Sequence, residues 1–263
     1  MHWLNDGPIP EDRMRLMEKF GDVLTIAGGP VGMRRSYVTA LRYAIESQWP
    51  DDDVVYFCED DYLHLPDSLR SLQAVAEQSG VSYFALYGLT PEFANEKEAP
   101  GAFAYPKHWK VLPPIEAGGV QWVHGVSTAS TFGARLGALR QDYGIFRQAM
   151  FPFRHRFLDH ETCVVYQGRY PYHDKEYVLG PRGDFVPGLR GVVRAAVLVP
   201  FRLALTVRAG MQSRHPHPLY TAAPNIACHA EVGVMNPGRD WDAVAEDARR
   251  WAIEQGLMAQ ATA

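Results

Sequence analysis

Short apolar segments alternate with amphipathic segments in the first third of the chain, and this alternation restricts the fold more than any other feature. Apolar runs typical of strands occupy residues 54–58 and 82–87. The segment 36–48 places its apolar residues on one helical face, and a second helix is expected from about residue 68 to 78. Strands that alternate with helices in this way favour an α/β fold. We therefore predict a mixed, mainly parallel sheet flanked by helices, with 54–58 as a buried parallel strand.

The rest of the chain continues this pattern less regularly. Residues 88–120 are rich in proline and glycine and are predicted to form loops, whereas 120–132 is predicted to be extended. Helical periodicity then predicts helices at 136–146, 159–167 and 240–256. No internal repeat interrupts the sequence, so we predict one domain over residues 1–263.

The composition excludes several classes of protein. An apolar fraction of 47% with 21% charged residues excludes global disorder. The net charge of −4 argues against a nucleic-acid-binding protein, which needs a basic surface. The three cysteines are far apart and form no metal-binding pair, which is typical of a reducing compartment. Because the N-terminus has no apolar signal-peptide region, we predict a cytoplasmic location.

The apolar segment 188–210 contains four arginines and Pro200. The proline is expected to break or kink a helix there. A basic, apolar stretch of this kind suits peripheral contact with an anionic membrane, at the inner face of the cytoplasmic membrane. We favour the alternative, a helix packed on the domain whose arginines extend outward into water.

Three consecutive carboxylates, Glu59, Asp60 and Asp61, directly follow the apolar run 54–58. In open α/β sheets, ligands bind beyond the carboxyl ends of the strands. Crowded carboxylates repel one another unless a cation neutralises them, and their hard oxygen atoms suit Mg²⁺ or Mn²⁺. We therefore favour a divalent metal that holds a diphosphate-bearing substrate. The alternative is a solvated acidic turn that precedes the next helix.

The sequence VVYFCEDDY resembles the metal-binding region of GT-A-fold glycosyltransferases, in particular the bacterial family-2-type enzymes. The resemblance implies a GT-A-like, Rossmann-related fold and a hexosyltransferase-type enzyme that transfers a sugar from a nucleotide-diphosphate sugar with inversion. It implies that Asp61 binds the metal, Asp60 faces the ribose or sugar hydroxyls, and Glu59 supports them. It also implies a nucleotide- and metal-binding half, 1–120, and an acceptor-side half, 121–263. The acceptor is left open as a glycan, a lipid or a small molecule.

Other landmarks follow in the order expected for that family. The turn around Asp6 resembles the one whose aspartate contacts the nucleotide, and Arg34 lies where a basic residue faces it. The segment 122–132, rich in small hydroxyl residues, resembles the acceptor-side strand. The segment 157–169 resembles the part that supplies the catalytic base. His229 resembles the histidine of a C-terminal pattern and would be an additional metal or phosphate ligand.

The resemblance leaves two carboxylates, Asp159 and Glu161, as candidates for the base that takes a proton from the acceptor hydroxyl. A spacing of two residues places them on different faces of a helix, so only one can face the sugar. We choose Asp159. The alternative is that it simply stabilises the start of a helix.

Two further functions remain open. One is a nucleotidyltransferase on a related sheet, although the glycine-rich segment 28–32 has no lysine after it. The other is a non-catalytic protein that still binds nucleotide-sugars. The family opens with an apolar strand and a helix ahead of the aspartate turn, whereas this sequence is expected to start inside the second strand.

Overall fold

A six-stranded mixed sheet lies at the centre of the protein. The computed structural model describes residues 1–78, 80–88, 109–151, 158–173, 175–180, 188–230 and 239–258. The strands in chain order are β1 (His2–Asn5), β2 (Asp22–Thr25), β3 (Val54–Phe57), β4 (Tyr62–His64), β5 (Tyr83–Ala85), β6 (Ile115–Ala117), β7 (Val120–His124), β8 (Phe132–Arg135), β9 (Leu219–Ala223) and β10 (Ala227–His229). The helices are α1 (Glu11–Glu18), α2 (Met33–Ile45), α3 (Ser68–Ala76), α4 (Leu136–Phe146), α5 (Asp159–Tyr166), α6 (Glu176–Leu179), α7 (Leu189–Gln212) and α8 (Trp241–Glu254), with a 3₁₀ turn at Arg147–Met150.

The strand order of the central sheet is β3-β8-β5-β9-β7-β6. Its pairings are antiparallel except for β5 with β9, which is parallel. The prediction of a mixed sheet flanked by helices is confirmed, but the prediction that it is mainly parallel is wrong. In particular, β3 is antiparallel to β8 and its residues are only half-buried. An apolar run indicates burial but contains no information about strand direction, which explains the error.

Two small sheets accompany the central one. Strands β1 and β2 pair in parallel, in register from His2 with Asp22 to Asn5 with Thr25. Strands β4 and β10 form an antiparallel ribbon that pairs Tyr62 with His229. The ribbon therefore joins the segment after β3 to the C-terminal part of the chain.

Alternate residues of β5 face opposite sides of the sheet, as the two-residue period of a strand requires. Tyr83 and Ala85 belong to a core cluster with residues of α2, α4 and α5, whereas Phe84 belongs to a cluster with residues of α3. The first cluster includes Leu41, Leu139, Val165 and Tyr166, and the second includes Leu72, Val75 and Trp122. The sheet is therefore covered by helices on both faces.

Helix α7 packs on the domain, as we favoured, and Arg190 and Arg208 are exposed, but it departs from expectation at Pro200 and at Arg202. It continues past Pro200, so the break expected there does not occur. Arg202 is 2% exposed and donates to the carbonyl oxygens of Tyr177 (3.0 Å) and Val178 (3.1 Å), so it does not extend into water. Because apolar residues occupy both the buried face and the exposed face of the helix, its periodicity did not show which face is buried.

A buried carboxylate ties the sheet to α4. Asp142 is 1% exposed; its carboxylate accepts from Tyr83 Oη at 2.8 Å and from Gln212 Nε2 at 2.9 Å, and His217 Nδ1 lies 2.7 Å away. Each of these contacts compensates for part of the hydration that the buried carboxylate loses.

We expect Tyr83→Phe to lower the free energy of unfolding by about 2 kcal/mol, because a hydrogen bond to a buried charged group is lost. Urea denaturation monitored by circular dichroism measures this change. Tyr143→Phe, which removes a hydroxyl from a half-buried tyrosine on α4, is the matched control and is expected to change stability much less. Equal losses in the two variants would contradict a stabilising role for the Tyr83–Asp142 hydrogen bond.

Candidate active site

The acidic residues after β3 meet a histidine from the far end of the chain. Asp61 immediately precedes β4, and His229 ends β10, which pairs with β4. The Ala230 N–H donates to the Asp61 carbonyl oxygen at 2.8 Å, which extends the ribbon by one residue. The side chains of the two residues also meet: His229 Nε2 lies 2.8 Å from Asp61 Oδ2. Strand pairing thus brings a carboxylate and an imidazole together at a position where the Asp61 side chain is 53% exposed.

Aromatic rings flank this pair. The ring of Tyr62 lies 5.1 Å from that of His229 at an interplanar angle of 30°, and it meets Tyr87 edge-on at 5.5 Å. Burial is the largest cause of the raised pKa of Tyr62, and the negative charge of Glu59 adds to it. The phenol therefore stays neutral and can donate or accept a hydrogen bond beside the acidic residues.

Glu59 is held by the hydroxyl-rich segment before β8. Its backbone N–H donates to Thr131 Oγ1 at 3.1 Å, and the Ser130 side chain forms a hydrogen bond with its carboxylate. Burial raises the pKa of Glu59, and the charges of Asp61 and Asp60 raise it further. The segment predicted to lie on the acceptor side therefore contacts the acidic motif directly.

We expect Glu59→Gln to be more stable than the wild type at neutral pH. The folded-state pKa of Glu59 is raised above its ordinary value of 4.5, so the folded protein binds this proton more tightly than the unfolded chain does. Folding is therefore penalised as pH rises above 4.5, and the penalty is complete once pH exceeds the folded-state pKa. The amide has no charge and avoids that penalty.

Thermal unfolding between pH 4 and pH 8, monitored by circular dichroism, checks this expectation. The stability difference between Glu59→Gln and the wild type should disappear toward the acidic end. Glu18→Gln, at an exposed position on α1, is the control and should show no such trend. A Glu59→Gln variant that is less stable than the wild type at neutral pH would contradict the expectation.

Asp159 is accessible to solvent and begins α5. Its carboxylate accepts hydrogen bonds from its own backbone N–H and from that of His160, as a residue in the first turn of a helix can. Loss of hydration among the surrounding atoms nevertheless raises the pKa of Asp159, with the charge of Glu161 as a smaller cause. Accessibility combined with desolvation is typical of a side chain that lines a cleft.

The backbone just before Asp159 is strained. Leu158 has φ of 40°, in the left-handed region that non-glycine residues rarely adopt. Its side chain is 2% exposed and packs with Leu198 and Phe201 of α7. Such conformations persist where the surrounding packing imposes them, and they concentrate at functional sites. Packing against α7 therefore fixes the direction in which Asp159 leaves the backbone.

Tyr37 of α2 responds electrostatically to both carboxylate regions. Burial is the largest cause of its raised pKa, the neighbouring Cys163 thiol contributes next, and the negative charges of Asp159 and Glu59 add to it. Tyr37 was missed by the sequence analysis, although its position three residues after Arg34 puts both on one helical face.

Glu161 is 1% exposed, so its side chain does not face solvent. Its Oε1 atom accepts from Tyr172 Oη at 3.1 Å, and the Arg202 guanidinium lies 5.9 Å from the centre of the Tyr172 ring. Of the two carboxylates considered as the base, only Asp159 is therefore open to a substrate.

Asp6 supports the start of α2. Its two carboxylate oxygens accept from the backbone N–H groups of Val31 (2.8 Å) and Gly32 (2.9 Å). A carboxylate at this position also interacts favourably with the positive end of the helix dipole. Arg34 follows in the first turn of α2 and is partly buried. The expected contact between Asp6 and a nucleotide would compete with these two hydrogen bonds.

The described residues contain no group of three or more histidine, cysteine or acidic side chains arranged to hold a metal ion. They do place Asp61 and His229 in contact at an exposed position. A divalent ion that binds a diphosphate takes one or two protein ligands, and phosphate and water supply the rest. The two side chains fit that requirement, and the imidazole favours Mn²⁺ over Mg²⁺.

Comparison of the chain with known protein families, curated proteins and solved structures finds no match. A function therefore has to be inferred from the residues and their arrangement.

Proposed function

We propose that this protein is a metal-dependent, inverting glycosyltransferase with a GT-A-like arrangement, which transfers a sugar from a nucleotide-diphosphate sugar to an acceptor hydroxyl. The observation that supports this most is the contact between Asp61 and His229 beside the β4–β10 ribbon, which follows β3. Asp159, at the start of α5, supplies an accessible carboxylate, and its charge and that of Glu59 both add to the effect of burial in raising the pKa of Tyr37. Glycosyl transfer needs these two features on either side of the sugar: a site for the leaving diphosphate and a base for the acceptor.

Asp61 and His229 are proposed to bind Mn²⁺ or Mg²⁺. When bound, the ion supplies positive charge that stabilises the leaving diphosphate. Asp60 is exposed beside them and is proposed to accept hydrogen bonds from the ribose or sugar hydroxyls. Glu59, which Ser130 and Thr131 hold in place, is proposed to orient its two neighbours and not to bind the substrate directly.

Asp159 is proposed to accept the proton of the acceptor hydroxyl. Burial raises the pKa of Asp159, and a carboxylate with a raised pKa is a stronger base than an ordinary one. The first-turn N–H groups of α5 hold the carboxylate, and the packing of Leu158 sets its direction. Arg34 is proposed to face the nucleotide phosphates, whereas Asp6 acts by holding the loop before α2.

Isothermal titration of the full chain tests the proposal. We expect Mn²⁺ to be required for binding of uridine or guanosine diphosphate, and the binding should disappear with excess chelator. Incubation with the matching nucleotide sugar should then release the nucleoside diphosphate. Release of pyrophosphate would instead support a nucleotidyltransferase, and metal-dependent binding without turnover would support a non-catalytic nucleotide-sugar-binding protein. No binding of any nucleoside diphosphate would exclude the proposal.

A further inference from the structure

Helix α7 is apolar on the face that packs against the protein and also on the face that points away from it. The inner face packs on α5 and α6. Its buried residues are Ala195, Leu198, Arg202, Leu205 and Ala209. The outer face consists of exposed residues that are all apolar: Leu189, Val192, Val193, Ala196, Val197, Pro200, Leu203, Ala204, Val207 and Met211. With 3.6 residues per turn, these ten positions fall within an arc of about 140°.

The exposure of this outer face is large. Leu189 is 80% exposed, Met211 is 71% exposed and Val197 is 69% exposed. A helix of 24 residues is about 36 Å long, so the face forms a continuous apolar strip. Monomeric proteins rarely leave a strip of this kind exposed to water, and when they do it marks a docking surface.

All the charged residues of α7 itself are arginines. Arg190 falls at one edge of the apolar arc, with Arg194 just beyond it and Arg214 after the end of the helix. Arg208 falls at the same edge, but its guanidinium lies against Gly144 of α4. No aspartate or glutamate occurs between Gly188 and Arg214. A second copy of this chain docked on the same face would bring like charges together, which is unfavourable. An anionic partner satisfies both the apolar strip and its basic edge.

We propose that the outer face of α7 docks on the surface of an anionic membrane. The apolar side chains would enter the boundary between headgroups and acyl chains, and the arginines would contact lipid phosphates. Within the described ranges, no helix has the length and apolar composition needed to cross a bilayer. A helix that lies in the interface plane needs no such length, and α7 has the basic edge that interfacial helices use.

Arg202 keeps α7 in the orientation that this docking requires. Its guanidinium donates to carbonyl oxygens near the end of α6, so the one arginine on the inner face is held by the protein. Leu198, one turn earlier, packs on Leu158. The outer face is therefore presented by a helix that is fixed on the domain, and docking does not require it to unfold or detach.

Co-sedimentation of the full chain with vesicles tests this inference. We expect binding to vesicles of phosphatidylcholine mixed with phosphatidylglycerol, weaker binding to phosphatidylcholine alone, and weaker binding to the mixed vesicles at high salt. Val197→Glu should weaken binding to the mixed vesicles by about tenfold or more, because an exposed apolar contact is replaced by a charge. Arg190→Gln should weaken it by about fivefold.

Leu69→Glu is the matched control, because Leu69 is 54% exposed on α3, a helix that covers the opposite face of the sheet. It should bind vesicles as the wild type does, and circular dichroism should show that both glutamate variants are folded. Asp61→Asn should also bind as the wild type does, so failure of the metal site and failure of membrane docking can be distinguished. Equal binding by Val197→Glu and the wild type would overturn the inference. Absence of vesicle binding would also overturn it, and self-association in analytical ultracentrifugation would then assign the face to a second copy.

Discussion

Replacing Asp61 by asparagine is expected to weaken Mn²⁺-dependent binding of a nucleoside diphosphate by about 100-fold or more. The asparagine has nearly the same shape but has lost the negative charge that makes a carboxylate a strong ligand for a divalent ion. Its amide oxygen still lies within reach of His229, so the β4–β10 ribbon should keep its pairing. Isothermal titration with Mn²⁺ and uridine or guanosine diphosphate measures the effect.

Asp53→Asn is the matched control for Asp61→Asn. Asp53 lies just before β3, at the opposite end of the strand from Asp61, and it is exposed. The control should bind metal and nucleotide as the wild type does. If the two variants bound equally well, Asp61 would not be a metal ligand and the proposed site would have to be abandoned. His229→Ala should weaken binding in the same direction as Asp61→Asn.

Asp159→Asn is expected to slow turnover of the donor about 100- to 10,000-fold, which is the usual range for loss of a general base. Metal-dependent nucleotide binding should be unchanged, because Asp159 lies on α5 and not on the ribbon that carries Asp61 and His229. The measurement is the release of nucleoside diphosphate from the sugar nucleotide that the wild type binds, with water as the acceptor.

The pH profile separates a chemical role of Asp159 from a structural one. Burial raises the pKa of Asp159, so the wild-type rate should increase with pH until that carboxyl is fully ionised. The asparagine variant should lack this increase. Asp12→Asn, which replaces another aspartate in the first turn of a helix, is the control and should keep the wild-type profile. An unchanged profile in Asp159→Asn would rule out its role as the base.

The sequence predicted individual elements better than their arrangement. Helix α4 has the predicted bounds, and α2 and α5 lie close to theirs. In α2 the apolar residues recur on one helical face, whereas α5 is buried on all sides from Glu161 to Tyr166. The predicted extended segment 120–132 is instead two strands, β7 and β8, that are not neighbours in the sheet. Pairing partners depend on contacts between distant residues, and no local pattern in this sequence specified them.

The part of the candidate site that could be predicted from the sequence is the run of carboxylates, because three consecutive acidic residues after a strand favour a cation site. The triplet Glu59–Asp61 follows a strand, and the structure puts it at the edge of the sheet beside His229. Asp159 and Glu161 had to differ in exposure because of their spacing, but only the packing of Tyr172 decides which one is buried. The role of Asp6 at the start of α2 depends on a loop that returns 25 residues later, which the sequence does not indicate.

The pairing of β4 with β10 determines when, during synthesis, the proposed metal ligands can come together. Asp61 and His229 are separated by 168 positions along the chain, and only their strand pairing brings them together. During synthesis, a ribosome must therefore pass His229 before the pair proposed to bind the ion can form. Capture of a cation at this proposed site would report that β10 has paired with β4.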